Sequence, residues 1–286
     1  MFKKLLLAWP VTLFVLLWSS GPIFSRWGLE HGSSFAILIG RFTVALLFLS
    51  VICLLRKRFL PPKGKRLTAA LTGFLLVGVY TICYLLALAN GITPGVLSTV
   101  MGVQPILTLW LVERDFPPSR LWGLFIALGG LVLVVLQSLT SSTLSIYGML
   151  YALAALGCIS YGSIFQKRLN LPPMDVLPVQ YVVSLVLCLL IAPFQPVEYE
   201  ISTGFIIPVL WMGLVISGVA QLLFYRLIRS GNLVNVTSLL YLVPGTTAAL
   251  DYIFLGNTMP LLSLAGMLAI ILGLVIVFRT KQTPSE

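Results

Sequence analysis

The chain has 286 residues, 59% of them hydrophobic and only 9% charged, with a formal net charge of +10. A soluble domain carries about a quarter charged residues, so this composition excludes a water-exposed globule and makes lipid the solvent for much of the surface. The basic residues sit in short links between apolar runs, which argues against a nucleic-acid partner and fits the positive-inside bias of membrane proteins.

The apolar runs fall at about 5–25, 33–55, 67–90, 94–112, 120–138, 144–166, 174–194, 205–228, 233–255 and 260–278. A span needs roughly 20 apolar residues to cross about 30 Å of hydrocarbon, so these runs use nearly the whole chain. In lipid only helices and closed barrels satisfy the backbone. Barrel strands would alternate polar and apolar residues, and these runs do not. The expected fold is an all-α integral membrane protein of ten transmembrane helices. The first run, Lys3-Lys4 followed by Leu5 to Leu17, is similar in style to a signal peptide. It lacks a small-residue cleavage site, and a retained first span is expected.

Orientation follows from lysine and arginine. With the N-terminus in the cytoplasm, every one of the 18 basic residues except Arg26 and Arg41 falls in the inner half, so both termini are expected inside. Cys53, Cys83, Cys158 and Cys188 each lie alone in an apolar run, and His31 is the single histidine. They read as packing residues, with no metal site and no cofactor expected.

The chain also repeats. Ser19–Arg26 (SSGPIFSR) is similar to Ser160–Lys167 (SYGSIFQK), Pro105 to Pro244, and Leu128–Val135 (LGGLVLVV) to Leu272–Phe278 (LGLVIVF). Three matches in order at nearly constant offset divide the chain into 1–140 and 141–286. Five spans per half is odd, so the second half enters from the opposite side, an inverted repeat of the kind many secondary transporters use.

Particular segments sharpen this. The second run carries Gly40-Arg41-Phe42, and the third and fourth read CYLLALANGITPGVLSTVMGVQPILTLWLVE from Cys83 to Glu113. The fifth carries GLFIALGGLVLVV. This order resembles the EamA branch of the drug/metabolite transporter superfamily over essentially the whole chain. The resemblance implies a bacterial inner-membrane protein that moves small metabolites, amino acids or drug-like compounds, with export as the expected direction. Gly256-Asn257 stands where that family often keeps a second glutamate.

Several residues are candidates for function. Pro105 and Pro244 each lie about 16 Å into a run, near the midplane. Each removes a backbone donor and crowds the carbonyl four residues back, at Met101 and Leu240. They read as gating elements at a binding site or as packing kinks. Arg41 lies about 10 Å inside its span, where an uncompensated charge costs at least roughly 2.5–3.5 kcal/mol. It reads as an anchor for a substrate carboxylate, or as a snorkelling or structural residue. Its counterpart in the second half is expected to be Gln180. Asp251 reads as a cation or proton site, with possible proton coupling, or as a group facing the outer surface. Glu113 stands beside Arg114 and reads as a local ion pair or, by the family resemblance, as a coupling residue alongside Asp251.

Tyr80 and Tyr84 share one helix face, as do Gln221 and Tyr225. With Trp18, Gln104, Tyr161, Gln180, Tyr181 and Tyr241 they form a candidate polar-aromatic cavity for a flat or amphipathic solute; each tyrosine alone also fits an interfacial anchor. Ala265, Ala269 and Gly273 recur every four residues, which suits close helix packing or the seam of a homodimer.

The function expected is a carrier for a small organic solute working by alternating access, with an uncoupled facilitator or channel-like permease as the alternative. An enzyme needs convergent catalytic groups. The chain has no H-E-x-x-H, G-x-S-x-G or phosphate-binding glycine loop, and no catalytic residue is assigned.

Overall fold

The computed structural model describes residues 2–57, 59–113, 116–141, 145–246 and 261–279. These form helices and short links; no strand occurs among the described residues beyond one isolated antiparallel bridge, Gly32 to Tyr199. In chain order the helices are α1 (Phe2–Leu29), α2 (Ser34–Arg56), α3 (Lys63–Ala89), α4 (Pro94–Val112) and α5 (Pro118–Ser141). They continue with α6 (Ile146–Leu169), α7 (Pro173–Phe194), α8 (Thr203–Ser230), α9 (Leu233–Thr246) and α10 (Leu261–Arg279). Among the described residues, eight helices are long and apolar enough to cross a membrane, and Leu233–Thr246 is a shorter apolar helix. The chain is a multi-pass membrane protein. Leu54, Leu190 and Leu268 are each more than 60% exposed, and in a bilayer this surface meets lipid.

Local chemistry sets the helix ends. Ser33 caps α2 by accepting from Ala36 N, Thr93 caps α4 ahead of Pro94, Ser145 caps α6, and Asn232 caps α9. A short polar side chain at these positions satisfies a backbone donor that the first turn leaves unpaired. The α2 and α6 ends turn through Lys57 (φ 52°) and Asn170 (φ 48°).

Four helices depart from regular α geometry, in matched pairs. The fourth breaks at Gly102–Val103, directly before Gln104-Pro105, and the ninth tightens into a 3₁₀ turn at Leu239–Tyr241, directly before Pro244. Proline cannot donate to the carbonyl four residues earlier, so both breaks follow from the sequence. The third and eighth widen into π-helix at Phe74–Val79 and Trp211–Ala220. Such bulges concentrate at functional sites.

The halves exchange partners. Helices α1 and α2 of the first half pack on α8, while α6 and α7 of the second pack on α3. Glycine permits two of these approaches. A Cβ on Gly73 would lie 2.5 Å from the Gln180 Cα, and one on Gly213 would lie 3.0 Å from the Arg41 carbonyl. The larger core cluster spans α1–α4 and α6–α9. A second, around Leu124, Leu131, Ile270 and Leu274, joins α5 to α10. Ala269 and Gly273 face α5 in this contact, whereas Ala265 is exposed. The small-residue face is thus used within the chain.

Candidate functional site

A cavity of about 90 Å³ lies within the bundle. Both halves wall it. From α1 come Trp18, Gly21, Pro22 and Ser25, from α2 Arg41, from α3 Tyr80, Thr81 and Tyr84, and from α4 Ser98, Met101 and Gly102. The second half supplies Ile159, Tyr181, Met212, Ile216, Gln221, Leu240, Val243 and Pro244. The lining therefore contains both the irregular turns before the two prolines and residues of both π segments.

Arg41 is the charged side chain of this lining, among the described residues, and is only 8% exposed. Its Nε donates to Ser217 Oγ at 2.6 Å, and the Tyr181 hydroxyl donates to the Ser217 carbonyl at 2.7 Å. The Tyr80 and Tyr84 rings stand 5.9 Å apart, and Trp18 packs on Phe14 and Phe224 at 5.2 and 5.3 Å. The arrangement offers one fixed cation inside a largely aromatic and aliphatic wall, with a few hydroxyls and amides.

Other candidates lie elsewhere. Gln180 is buried against its own neighbours: its Nε2 donates to Gln166 Oε1 at 2.9 Å, and its Oε1 accepts from the Tyr225 hydroxyl at 2.7 Å. The α7 residue at the cavity is its neighbour Tyr181. Tyr225 belongs to that buried network and Gln104 donates to Ser163 Oγ at 3.4 Å; neither lines the cavity. Tyr241 is buried in the α5–α10 cluster and Pro105 sits behind the lining. Tyr161 is 51% exposed and turned away from the cavity. Asp251, Arg114, Gly256 and Asn257 lie outside the described residues.

At the end of the bundle where α4 and α8 finish and α5 and α9 start, a second polar group closes the structure. Arg120, which the sequence reads as an inner-loop cation, is fully buried. It pairs with Glu113 through Nη1, and its Nη2 donates to Asn232 Oδ1 at 2.8 Å and Asn235 Oδ1 at 2.9 Å. Asn232 Nδ2 donates to Glu113 Oε1 at 2.9 Å. Beside it, Lys167 Nζ donates to the Gly231 carbonyl at 2.6 Å and the Arg229 carbonyl at 3.1 Å. The Arg120 group joins α4 and α5 of one half to the start of α9 in the other, while the Lys167 bonds tie α6 to the end of α8 and the α8–α9 link within the second half. Sequence reasoning singled out Glu113 but expected its partner to be Arg114, and it missed Arg120, Asn232 and Asn235. The group's one local sign is the Asn-x-x-Asn that opens α9, which reads as a cap and not as a partner for a distant arginine.

The fold and this cavity define a multi-pass helical membrane protein with a cavity walled by both halves. The chain belongs to the EamA-like transporter family, whose model matches it twice, over residues 6–136 and 146–279. It is similar to a Bacillus subtilis (strain 168) protein described as the uncharacterized transporter YvbV, with 26% identity over 203 residues. That match covers 68% of this chain and 65% of the relative, so the chain spans just under two thirds of that relative's length. A protein crystal structure shares the fold with a TM-score of 0.78 at 18% identity, covering 94% of this chain and 95% of that one. The family and the relative both point to a transporter of small solutes and not to an enzyme.

Proposed function

We propose that this protein is a secondary transporter that carries a small organic metabolite across the bacterial inner membrane by alternating access between two inverted five-helix halves, 1–140 and 141–286. The observation that carries this reading is the cavity walled by both halves, with a cross-half lock at one end of the bundle. Ten transmembrane helices with both termini inside is the topology we adopt. It is supported by two family-model matches of similar length and by Arg56, Lys57, Lys63, Lys65, Arg66, Lys167, Arg168, Arg226 and Arg229 gathering at the Arg120 end of the bundle. On that topology the Arg120 group closes the cytoplasmic side and the cavity belongs to an outward-facing state. Pro105 and Pro244 then serve the gating helices, and export is the direction the family resemblance implies.

A second reading is an uncoupled facilitator. It is favoured by the cavity lining, which carries no acidic side chain among the described residues to exchange a proton. Reconstitution into proteoliposomes separates the possibilities. The carrier reading expects saturable flux with counterflow, whereas non-saturating ionic current overturns it. A flux indifferent to an imposed pH gradient assigns the protein to the uncoupled class.

A further inference from the structure

Arg41 is built as one half of a recognition pair. It lies about two turns inside α2, where an uncompensated charge is costly. No carboxylate of the described chain pairs with it. Its one hydrogen bond to protein, from Nε to Ser217 Oγ, fixes the guanidinium plane, and Tyr181 in turn fixes the backbone of Ser217. Arg41 lines the cavity, and its Nη nitrogens make no hydrogen bond to a described residue. The contrast within the same chain is Arg120, whose two Nη atoms are both taken up by side chains.

A guanidinium with Nε occupied and the Nη pair free presents the end-on fork, which matches the two oxygens of a carboxylate. A single fork balances a single negative charge; a phosphate dianion would call for a second cation, and the described lining has none. The rest of the described lining is mainly aromatic and aliphatic, with Trp18, Tyr80, Tyr84, Ile159 and Met212. An ammonium group would find partial charge at most, from carbonyls such as those of Met101 and Leu240, and no carboxylate among the described lining residues.

Resting on the transporter reading above, we propose that the solute is a monoanionic carboxylate with a flat or branched apolar body, held end-on by the Arg41 fork, and that the site selects it over the zwitterion and the cation of the same body. The test uses the purified full-length protein and three probes that share a phenyl body: 3-phenylpropionate, phenylalanine and phenethylamine. Calorimetry reads binding in detergent and counterflow reads transport in proteoliposomes. 3-Phenylpropionate is expected to bind and move with a preference of roughly tenfold or more, the worth of one charge-assisted hydrogen bond. Arg41→Gln and Arg41→Lys, each checked for monodisperse folded protein, should lose that preference, since Lys keeps the charge but not the fork.

Equal or better binding of phenylalanine or phenethylamine overturns the proposal. So does binding of none of the three, or a preference that survives in folded Arg41→Gln. The wild-type series decides the matter even where a variant does not fold. Binding of 3-phenylpropionate without counterflow would sink the transporter reading and leave the anion site standing. Counterflow of phenylalanine with no 3-phenylpropionate binding would do the reverse.

Discussion

Arg41 and Arg120 are the same side chain put to opposite uses. Both are buried, but Arg120 spends its Nη atoms on Glu113, Asn232 and Asn235, while among the described residues Arg41 makes one side-chain hydrogen bond, to Ser217, and lies over the Phe42 ring. Burial of an arginine is costly unless its charge is compensated; Arg120 has Glu113 for that purpose and reads as a structural tie, whereas no carboxylate among the described residues pairs with Arg41. Ser217→Ala removes the bond that orients Arg41. With a charge-assisted hydrogen bond worth about 1.5–3 kcal/mol, it should weaken binding of a carboxylate probe by roughly tenfold while leaving the melting temperature in detergent nearly unchanged; a large melting shift would make Ser217 a packing residue. Arg41 was legible in the sequence because one charge stands out inside an apolar run. Ser217 was not, because a serine among glycines and valines carries no sign of the partner that arrives from α2.

At the scale of the helix, the departures from regular geometry come in pairs. The breaks in α4 and α9 precede Pro105 and Pro244, and the π segments of α3 and α8 occupy matching positions in the two halves. Pro105→Ala and Pro244→Ala restore a backbone donor and favour a continuous helix. Each is expected to slow counterflow by about tenfold or more at unchanged binding affinity, in keeping with a gating step that limits turnover. Unchanged rates would reduce the breaks to packing features. The prolines announced themselves, whereas the π segments did not: their glycines, Gly78 close to Ser184 and Gly218 close to Phe48, read in the sequence only as small residues in an apolar run. Helix contact is equally specific between α5 and α10, where a Cβ on Gly130 would lie 2.5 Å from the Gly266 carbonyl. Gly130→Leu should therefore lower the yield and melting temperature of folded protein, with overpacking costing typically 1–3 kcal/mol or more. Leu268→Ala, on the exposed face of α10, should change neither by much, and a comparable loss in both variants would contradict the assignment of faces.

For the whole molecule, the Arg120 group ties the two halves at one end and leaves the cavity toward the other. Arg120→Gln strands the partly buried Glu113 and breaks the bonds to α9. Removing one partner of a buried pair costs about 3–5 kcal/mol, enough to shift the balance toward the state open at that end. A single cysteine at Ser163, in a background lacking the four native cysteines, reads this out. It should react with a water-soluble maleimide faster in Arg120→Gln than in the parent, and protection that is unchanged would remove the lock from the mechanism.

The sequence by itself determined the solvent, the helices, their approximate ends and the repeat. Each of these rests on local chemistry: hydropathy over a span, capping residues, prolines and spacing. Which polar side chains meet at the cavity was decided by the tertiary structure. In helices that are apolar on nearly every side, periodicity does not choose a face, so Gln180 and Tyr181 look equally eligible until α7 packs on α3. Tyr181 then turns to the cavity and Gln180 to Gln166. Tyr161 faces outward and Arg120 goes inward for the same reason: burial in a bundle is set by neighbours far away in the chain, and those neighbours come mainly from the other half.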